Sequence, residues 1–303
     1  MEEEKRIDGK RIAEQIHAET AKAVEHLKAS GITPGLVFVR VGEDPASQVY
    51  VSMKEKTCRR LGIFSETRVL PEQTSEAELL QLLEELNRDP RFHGILVQAP
   101  LPSHIRSEAV YSTIAPEKDV DGFHPINMGR LLLGDTRGFV PCTPAGIVEL
   151  LIRSNIPIEG ADVVILGRGN IVGKPLAALL MQKAPRANAT VTVCHSRTRE
   201  IAAHCRRADI LVAAMGVARF VKADMVKEGA VVVDVGVNRI PDPTAPRGYR
   251  LVGDVDYEAL LPKVSRITPN PGGVGPMTIA MLMHNTVRAA AMQNGLSLET
   301  LTQ

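Results

Sequence analysis

Apolar residues recur at three- and four-residue steps over residues 8–29, at Ile12, Ile16, Val24 and Leu27, with Thr20 the one polar member of the stripe. That period predicts an amphipathic helix, which Gly31 and Pro34-Gly35 end. Leu36–Val41 is an unbroken apolar, β-rich run and reads as a buried strand. Asp44-Pro45 then signals a helix start: a side-chain acceptor at the cap, followed by a ring already fixed at helical φ. That helix ends near Gly62. Glu66–Leu70 predicts a strand. Ser75 caps a helix with Leu79, Leu82, Leu83 and Leu86 facing inward, and Gly94–Gln98 predicts another strand. Strands alternating with helices predict βαβ units and a parallel sheet.

The pattern restarts after a connecting helix over 143–157. Asp162–Leu166 predicts a strand, Pro175–Gln182 a helix and Thr190–Cys194 a second strand. Further β-like runs cover 210–214, 231–235 and 267–269. Residues 240–250, rich in Pro, Asp and Arg, read as an exposed turn. Pro269–Thr278 holds three prolines and three glycines and reads as neither helix nor central strand. A last helix runs from about Met277 to Met292. The fold class is α/β with two domains. The first is of βαβ type, the second Rossmann-like, and the C-terminal helix returns to the first.

Composition narrows the function classes. The chain has 303 residues, enough for two domains, and a formal net charge of +1. Only 3% of residues are aromatic and there is no Trp. A nucleic-acid surface, which wants a concentrated basic patch and stacking rings, is therefore not expected. No stretch approaches the roughly 20 apolar residues that span a bilayer. The start, Met1-Glu2-Glu3-Glu4-Lys5-Arg6, is acidic and resembles no signal peptide. Cys58, Cys142, Cys194 and Cys205 form no C-x-x-C pair, so reduced thiols and a cytoplasmic location are expected. The eight histidines lack metal-site spacing, so no metal is expected.

Candidate chemistry gathers at strand ends, where open parallel sheets bind ligands. Tyr50 and Lys54 stand four residues apart and share a helix face, which fits a proton-handling pair and equally an ordinary surface pair. Gln98 closes a strand, and Pro100 and Pro102 stiffen its exit. In the loop Pro116–Pro125, either Asp119 or Asp121 fits a turn cap. Gly167-Arg168-Gly169-Asn170-Ile171-Val172-Gly173 joins a strand to a helix, the context of a dinucleotide site, with one residue more than the usual glycine spacing. The next strand ends in His195-Ser196-Arg197-Thr198, with no acidic residue for a ribose 2′-hydroxyl. Ser196, Arg197 and Arg168 suit a 2′-phosphate instead, so NADP is expected over NAD.

Seven separated segments carry a resemblance: VGEDPASQVYVSMK at 41–54, GILVQAPLP at 94–102, KDVDGFHPINMGRL at 118–131, PCTPAGI at 141–147, GRGNIVGKP at 167–175, ATVTVCHSRT at 189–198 and TPNPGGVGPMT at 268–278. In this order and spacing the chain resembles the bifunctional methylenetetrahydrofolate dehydrogenase/methenyltetrahydrofolate cyclohydrolase family over nearly its whole length. The resemblance implies that Lys54 is the catalytic lysine, Gln98 the group that tunes it, Tyr50 a wall of the folate pocket and Asp121 the grip on the pterin. Pro100 and the loop carrying Pro271, Gly272 and Gly273 are implied beside the folate. Gly167, Arg168, Gly169, Ile171, Ser196, Arg197 and Val237 are implied at NADP.

It further implies a folate-binding catalytic domain of residues 1–142 plus 279–303, an NADP domain of 143–278, and a homodimer. The implied role is in one-carbon metabolism that feeds purine biosynthesis. Lys54 can move protons only if part of it is neutral, so its pKa must fall from about 10.4. Ala99 departs from the family in being small, Gly169 in lacking a hydroxyl, and 184–188 in being a short insertion. Two other functions stay open at this point: a dehydrogenase with little cyclohydrolase activity, and a non-catalytic NADP-sensing module.

Overall fold

A computed structural model describes residues 2–245 and 248–297. The chain divides into two compact units: Met1–Ala13 with Thr143–Thr278, and Glu14–Cys142 with Ile279–Gln303.

The unit of Glu14–Cys142 with Ile279–Gln303 is built on β1 (Gly35–Val41), β2 (Phe64–Leu70) and β3 (Gly94–Val97). All pair in parallel, in the order β2-β1-β3. β1 is central and almost wholly buried, as its unbroken apolar run requires. The helix Glu76–Arg88 lays Leu79, Leu83 and Leu86 on the core, while Leu82 is only partly buried. Ser75 caps it, with Glu78 reaching back to the Ser75 backbone. The helix Pro45–Leu61 follows β1. Asp44 Oδ2 accepts from Ser47 N at 2.7 Å at its start, and Gly62 ends it at φ 75°.

The other unit holds β4 (Asp162–Leu166), β5 (Thr190–Cys194), β6 (Ile210–Ala213), β7 (Val231–Asp234), β8 (Asn238–Pro241), β9 (Tyr249–Val252) and β10 (Arg266–Ile267). Five strands form a parallel sheet in the order β10-β7-β6-β4-β5. The order reverses at β4, the switch point of a doubly wound fold. Residues 1–13, expected with the first domain, cluster here. Ile7 N donates to Ile267 O at 2.8 Å and Lys5 Nζ to Pro262 O at 2.8 Å, so the N-terminal segment extends the β10 edge.

Two local expectations fail. Residues 240–250 are not a simple turn: β8 and β9 pair antiparallel, Asn238 opposite Val252 through Pro241 opposite Tyr249. A two-stranded ribbon satisfies its backbone without a buried face, so its polar side chains hide it from a hydrophobicity pattern. Residues 246 and 247 lie outside the described residues. The last helix is Val274–Gln293 and so begins inside the Pro/Gly stretch. Pro276 sits in its first turn, where a missing N–H costs nothing.

Candidate active site and dinucleotide cradle

The candidate catalytic groups meet in the smaller sheet's unit. Lys54 lies on the helix Pro45–Leu61 and Gln98 immediately follows β3. Lys54 Nζ donates to Gln98 Oε1 at 2.9 Å, and Lys54 is 8% exposed. Gln98 Nε2 donates to Ala99 O at 2.6 Å, and the Ser47 hydroxyl donates to the same carbonyl at 3.4 Å. One carbonyl thus ties the start of the lysine's helix to the exit of β3. The peptide between Ala99 and Pro100 is cis, and Pro100 is exposed. Tyr50 stands one turn before Lys54 and is largely exposed, as a pocket wall would be.

Burial pushes the Lys54 amine below the ordinary lysine range, and the negative charge of Asp121 pulls it back up. Burial pushes the Asp121 carboxyl up, opposed by the Lys54 cation and by the neighbouring Cys142 thiol. A lysine and an aspartate therefore face each other with both charged forms penalised. The partner Gln98 is neutral. An amide oxygen accepts equally from an ammonium or an amine, so it holds Lys54 in place without fixing its charge.

The loop that carries Asp121 is organised by Asp119. Its carboxylate accepts from Gly122 N (3.1 Å), Phe123 N (3.2 Å), His124 N (2.8 Å) and Asn127 Nδ2 (2.8 Å). Burial nevertheless raises its carboxyl to about 7. Asp119 is the turn cap, and none of these four donors is shared with Asp121. Sequence reasoning missed two further residues behind the site. Cys142 is fully buried, and its thiol donates to Val120 O at 3.4 Å. Asn285 Nδ2 donates to the same Val120 O at 2.9 Å and to Val140 O at 3.2 Å. Cys142 lies within the PCTPAGI segment and Asn285 in no quoted motif, and neither contact with Val120 could be read locally because both residues act from other segments.

The other unit carries the glycine-rich turn. Gly167 has φ 118°, and a Cβ on it would lie 2.2 Å from Ala214 O. A Cβ on Gly173 would lie 2.1 Å from Gly167 O. Both positions need glycine so that the turn can close on the helix Gly173–Leu180. A Cβ on Gly169 would meet nothing within 4 Å, so that position is open. Arg168 and Ile171 are exposed on this turn. Beyond β5, His195 N donates to Thr198 Oγ1 at 2.8 Å and Thr198 N to His195 O at 2.8 Å. This tight turn leaves Ser196 and Arg197 exposed, and no carboxylate pairs with Arg168 or Arg197 among the described residues. Free cations, a hydroxyl and a close-approach backbone fit a phosphorylated dinucleotide. Val237 is exposed beyond β7.

Pro271, Gly272 and Gly273 lie in the same unit as the dinucleotide turn, with the Asn270–Pro271 peptide cis. A Cβ on Gly9 would lie 1.8 Å from Gly273 O, so this loop packs against the start of the helix Gly9–Ala29. The insertion 184–188 is tied down by Arg186, whose guanidinium meets Glu149 at 2.5 Å. Among the described residues no helix is long and apolar enough to cross a membrane. The four cysteines are free and buried.

Comparison with known proteins bears on both halves. A family described as tetrahydrofolate dehydrogenase/cyclohydrolase, catalytic domain, matches residues 7–121. One described as tetrahydrofolate dehydrogenase/cyclohydrolase, NAD(P)-binding domain, matches residues 141–294. The chain is 55% identical over 292 residues to the bifunctional protein FolD of Chlorobium luteolum, covering 96% of this chain and 99% of the relative. It is 55% identical over 284 residues to that of Moorella thermoacetica, covering 94% and 98%. The crystal structure of the bifunctional FolD from Campylobacter jejuni superposes with a TM-score of 0.89 at 48% identity, covering 96% of this chain and 99% of that one. The Trypanosoma brucei enzyme, complexed with NADP cofactor and inhibitor, gives 0.90 at 39% identity, covering 95% and 98%.

Proposed function

The chain belongs to the tetrahydrofolate dehydrogenase/cyclohydrolase family, and from that membership we infer its activity. It is a bifunctional folate enzyme. It oxidises 5,10-methylenetetrahydrofolate to the 5,10-methenyl cation with NADP, and hydrolyses that cation to 10-formyltetrahydrofolate. NADP, when bound, supplies the nicotinamide carbon that accepts the hydride.

The chain's own residues supply the rest. Gly167 and Gly173 let the turn backbone approach the pyrophosphate, and Arg168, Ser196 and Arg197 suit the 2′-phosphate. Asp121 offers a carboxylate that accepts paired hydrogen bonds from the amino-pyrimidine edge of the pterin. Tyr50 and Pro100 form apolar wall. In the second reaction water adds to the methenyl carbon and loses a proton to the neutral Lys54 amine. The carbon–nitrogen bond to the pterin ring nitrogen then breaks as the remaining hydroxyl becomes the formyl carbonyl and releases its proton to water, the one proton the overall reaction sets free. That nitrogen keeps the bonding pair and takes the proton back from Lys54. Gln98 keeps the amine aimed through the cycle.

One observation carries the cyclohydrolase assignment: a buried lysine held at 2.9 Å by a neutral amide, with a pKa lowered by burial. Replacing Lys54→Met tests it, with NADPH formation and methenyl decay followed separately. The expected outcome is loss of methenyl hydrolysis while NADPH formation continues. Hydrolysis near the wild-type rate would remove Lys54 from the mechanism. Family resemblance also supports a homodimer and a cytoplasmic location. The dimer is tested by sedimentation, where a species of one chain mass at micromolar protein would refute it. Free buried thiols support the location, and fractionation of the producing cell tests it.

A further inference from the structure

The sheet order divides the dinucleotide. β4, which leads into the Gly167 turn, lies between β5 and β6. The phosphate-selecting turn at Ser196 and Arg197 leaves β5, so the other half of a bound dinucleotide extends over the exits of β6 and β7. Those exits are residues 214–217 and 235–237, and neither has regular structure of its own.

One side chain from a third segment holds the first directly and reaches Asn238, the residue that follows the second. Asp254 is wholly buried. Its Oδ2 accepts from Met215 N at 2.7 Å and Gly216 N at 2.9 Å. Its Oδ1 accepts from Asn238 Nδ2 at 2.8 Å. Asp254 is itself pinned by Asp234, whose Oδ1 accepts from Asp254 N at 2.9 Å and from Gly236 N at 3.0 Å, and whose Oδ2 accepts from Val255 N at 3.2 Å. Two glycines make room: a Cβ on Gly236 would lie 2.1 Å from Asp254 Oδ1, and one on Gly253 would lie 1.7 Å from Asp234 Oδ2. No cation pairs with Asp254 among the described residues. A buried carboxylate answered only by N–H dipoles is a costly device. What it fixes are the 214–217 loop and Asn238, next to which Val217 and Val237 are exposed, at 47% and 56%, on the exits of the neighbouring strands β6 and β7.

We propose that Asp254 is a positioning residue for the nicotinamide half of NADP. It holds the 214–217 loop and Asn238 in register, and so presents Val217 and Val237 as a fixed apolar seat. This rests on the reading of the unit as the NADP site.

The test uses the full chain with Asp254→Asn, and calorimetric titration with NADP and with adenosine 2′,5′-bisphosphate, which carries only the phosphate-selecting half. An amide leaves one or more buried donors unanswered, so NADP binding weakens about tenfold or more. The bisphosphate binds within about twofold of wild type, because its turn lies across β4 from the clamp. Hydrolysis of supplied methenyltetrahydrofolate, which needs no NADP, reports that the chain is folded. Equal weakening of both ligands, or of neither, overturns the role. If Asp254→Asn does not fold, Asn238→Ala takes its place. It removes one contact and is expected to weaken NADP alone, by about threefold; an unchanged NADP affinity overturns the role. Wild-type protein that bound neither ligand would sink the NADP reading itself, a pattern distinct from selective or uniform loss in the variants.

Discussion

On the proposed mechanism Lys54 carries the proton in methenyl hydrolysis, and its surroundings bear on the pH at which it can do so. It serves as a base only when neutral, so methenyl hydrolysis rises with pH through its pKa. Burial places that midpoint below the ordinary 10.5, and Asp121 draws it partly back. Removing the Asp121 charge therefore moves the limb to lower pH. Adding a charge at the contacting amide moves it to higher pH, because a carboxylate favours the ammonium. The paired prediction is that Asp121→Asn shifts the rising limb of the kcat profile toward acid and Gln98→Glu shifts it toward alkali. Profiles at saturating folate separate this from weaker binding. Limbs that move together, or that stay put in both variants, would show that the titrating group is not Lys54.

At the scale of elements, the loop from Asp119 to Asn127 shows what a sequence can and cannot disclose. Its existence as a defined loop bounded by prolines was legible, and it joins the helix Ser107–Thr113 to the helix Pro125–Leu133. Type and spacing alone did not divide the labour between its two aspartates, because both fit a turn cap, and only the family resemblance singled out Asp121. The difference lies in four donors that converge on Asp119 alone, three of them backbone N–H groups. Asp119→Ala leaves those donors unanswered in a buried place. It is expected to cost about 3 kcal/mol, read as a lower urea midpoint at unchanged m. Asp121→Asn is expected to cost far less stability while impairing turnover, and a reversed ranking would exchange the two roles. Other losses of legibility have the same origin. Strongly periodic elements, such as β1 and the helix Glu76–Arg88, could be read from side chains because they bury a face. The β8–β9 ribbon buries little and is defined by backbone pairing. The helix Val274–Gln293 begins among residues that usually break helices, because a first turn tolerates them. Cys142 and Asn285 reach the Asp121 loop from distant sequence, and no local pattern announces such contacts.

For the molecule as a whole, the candidate groups for the two reactions are distributed over both units. The Lys54–Gln98–Asp121 group lies within the unit of Glu14–Cys142 with Ile279–Gln303. The glycine turn and the Ser196–Arg197 turn lie within the other. On the proposed mechanism methenyl hydrolysis draws on the first set of side chains, whereas oxidation draws on both. A lesion confined to the glycine turn should therefore separate the activities. Gly173 is the apt position, since an added Cβ would meet the backbone oxygen of Gly167 at 2.1 Å, and backbone cannot rotate away as a side-chain tip can. Gly173→Ala is expected to weaken NADP binding about tenfold or more. Methenyltetrahydrofolate supplied directly should still be hydrolysed within about twofold of the wild-type rate. Gly169→Ala is the matched control: its Cβ meets nothing within 4 Å, so both activities should persist. The measurement is a pair of assays on each variant, NADPH formation from the methylene substrate and decay of the methenyl substrate. Loss of both activities in Gly173→Ala would mean that the units are not independent in folding or in chemistry. Loss of the first alone, opposite in sense to the outcome expected for Lys54→Met, would establish that one chain carries two separable catalytic devices.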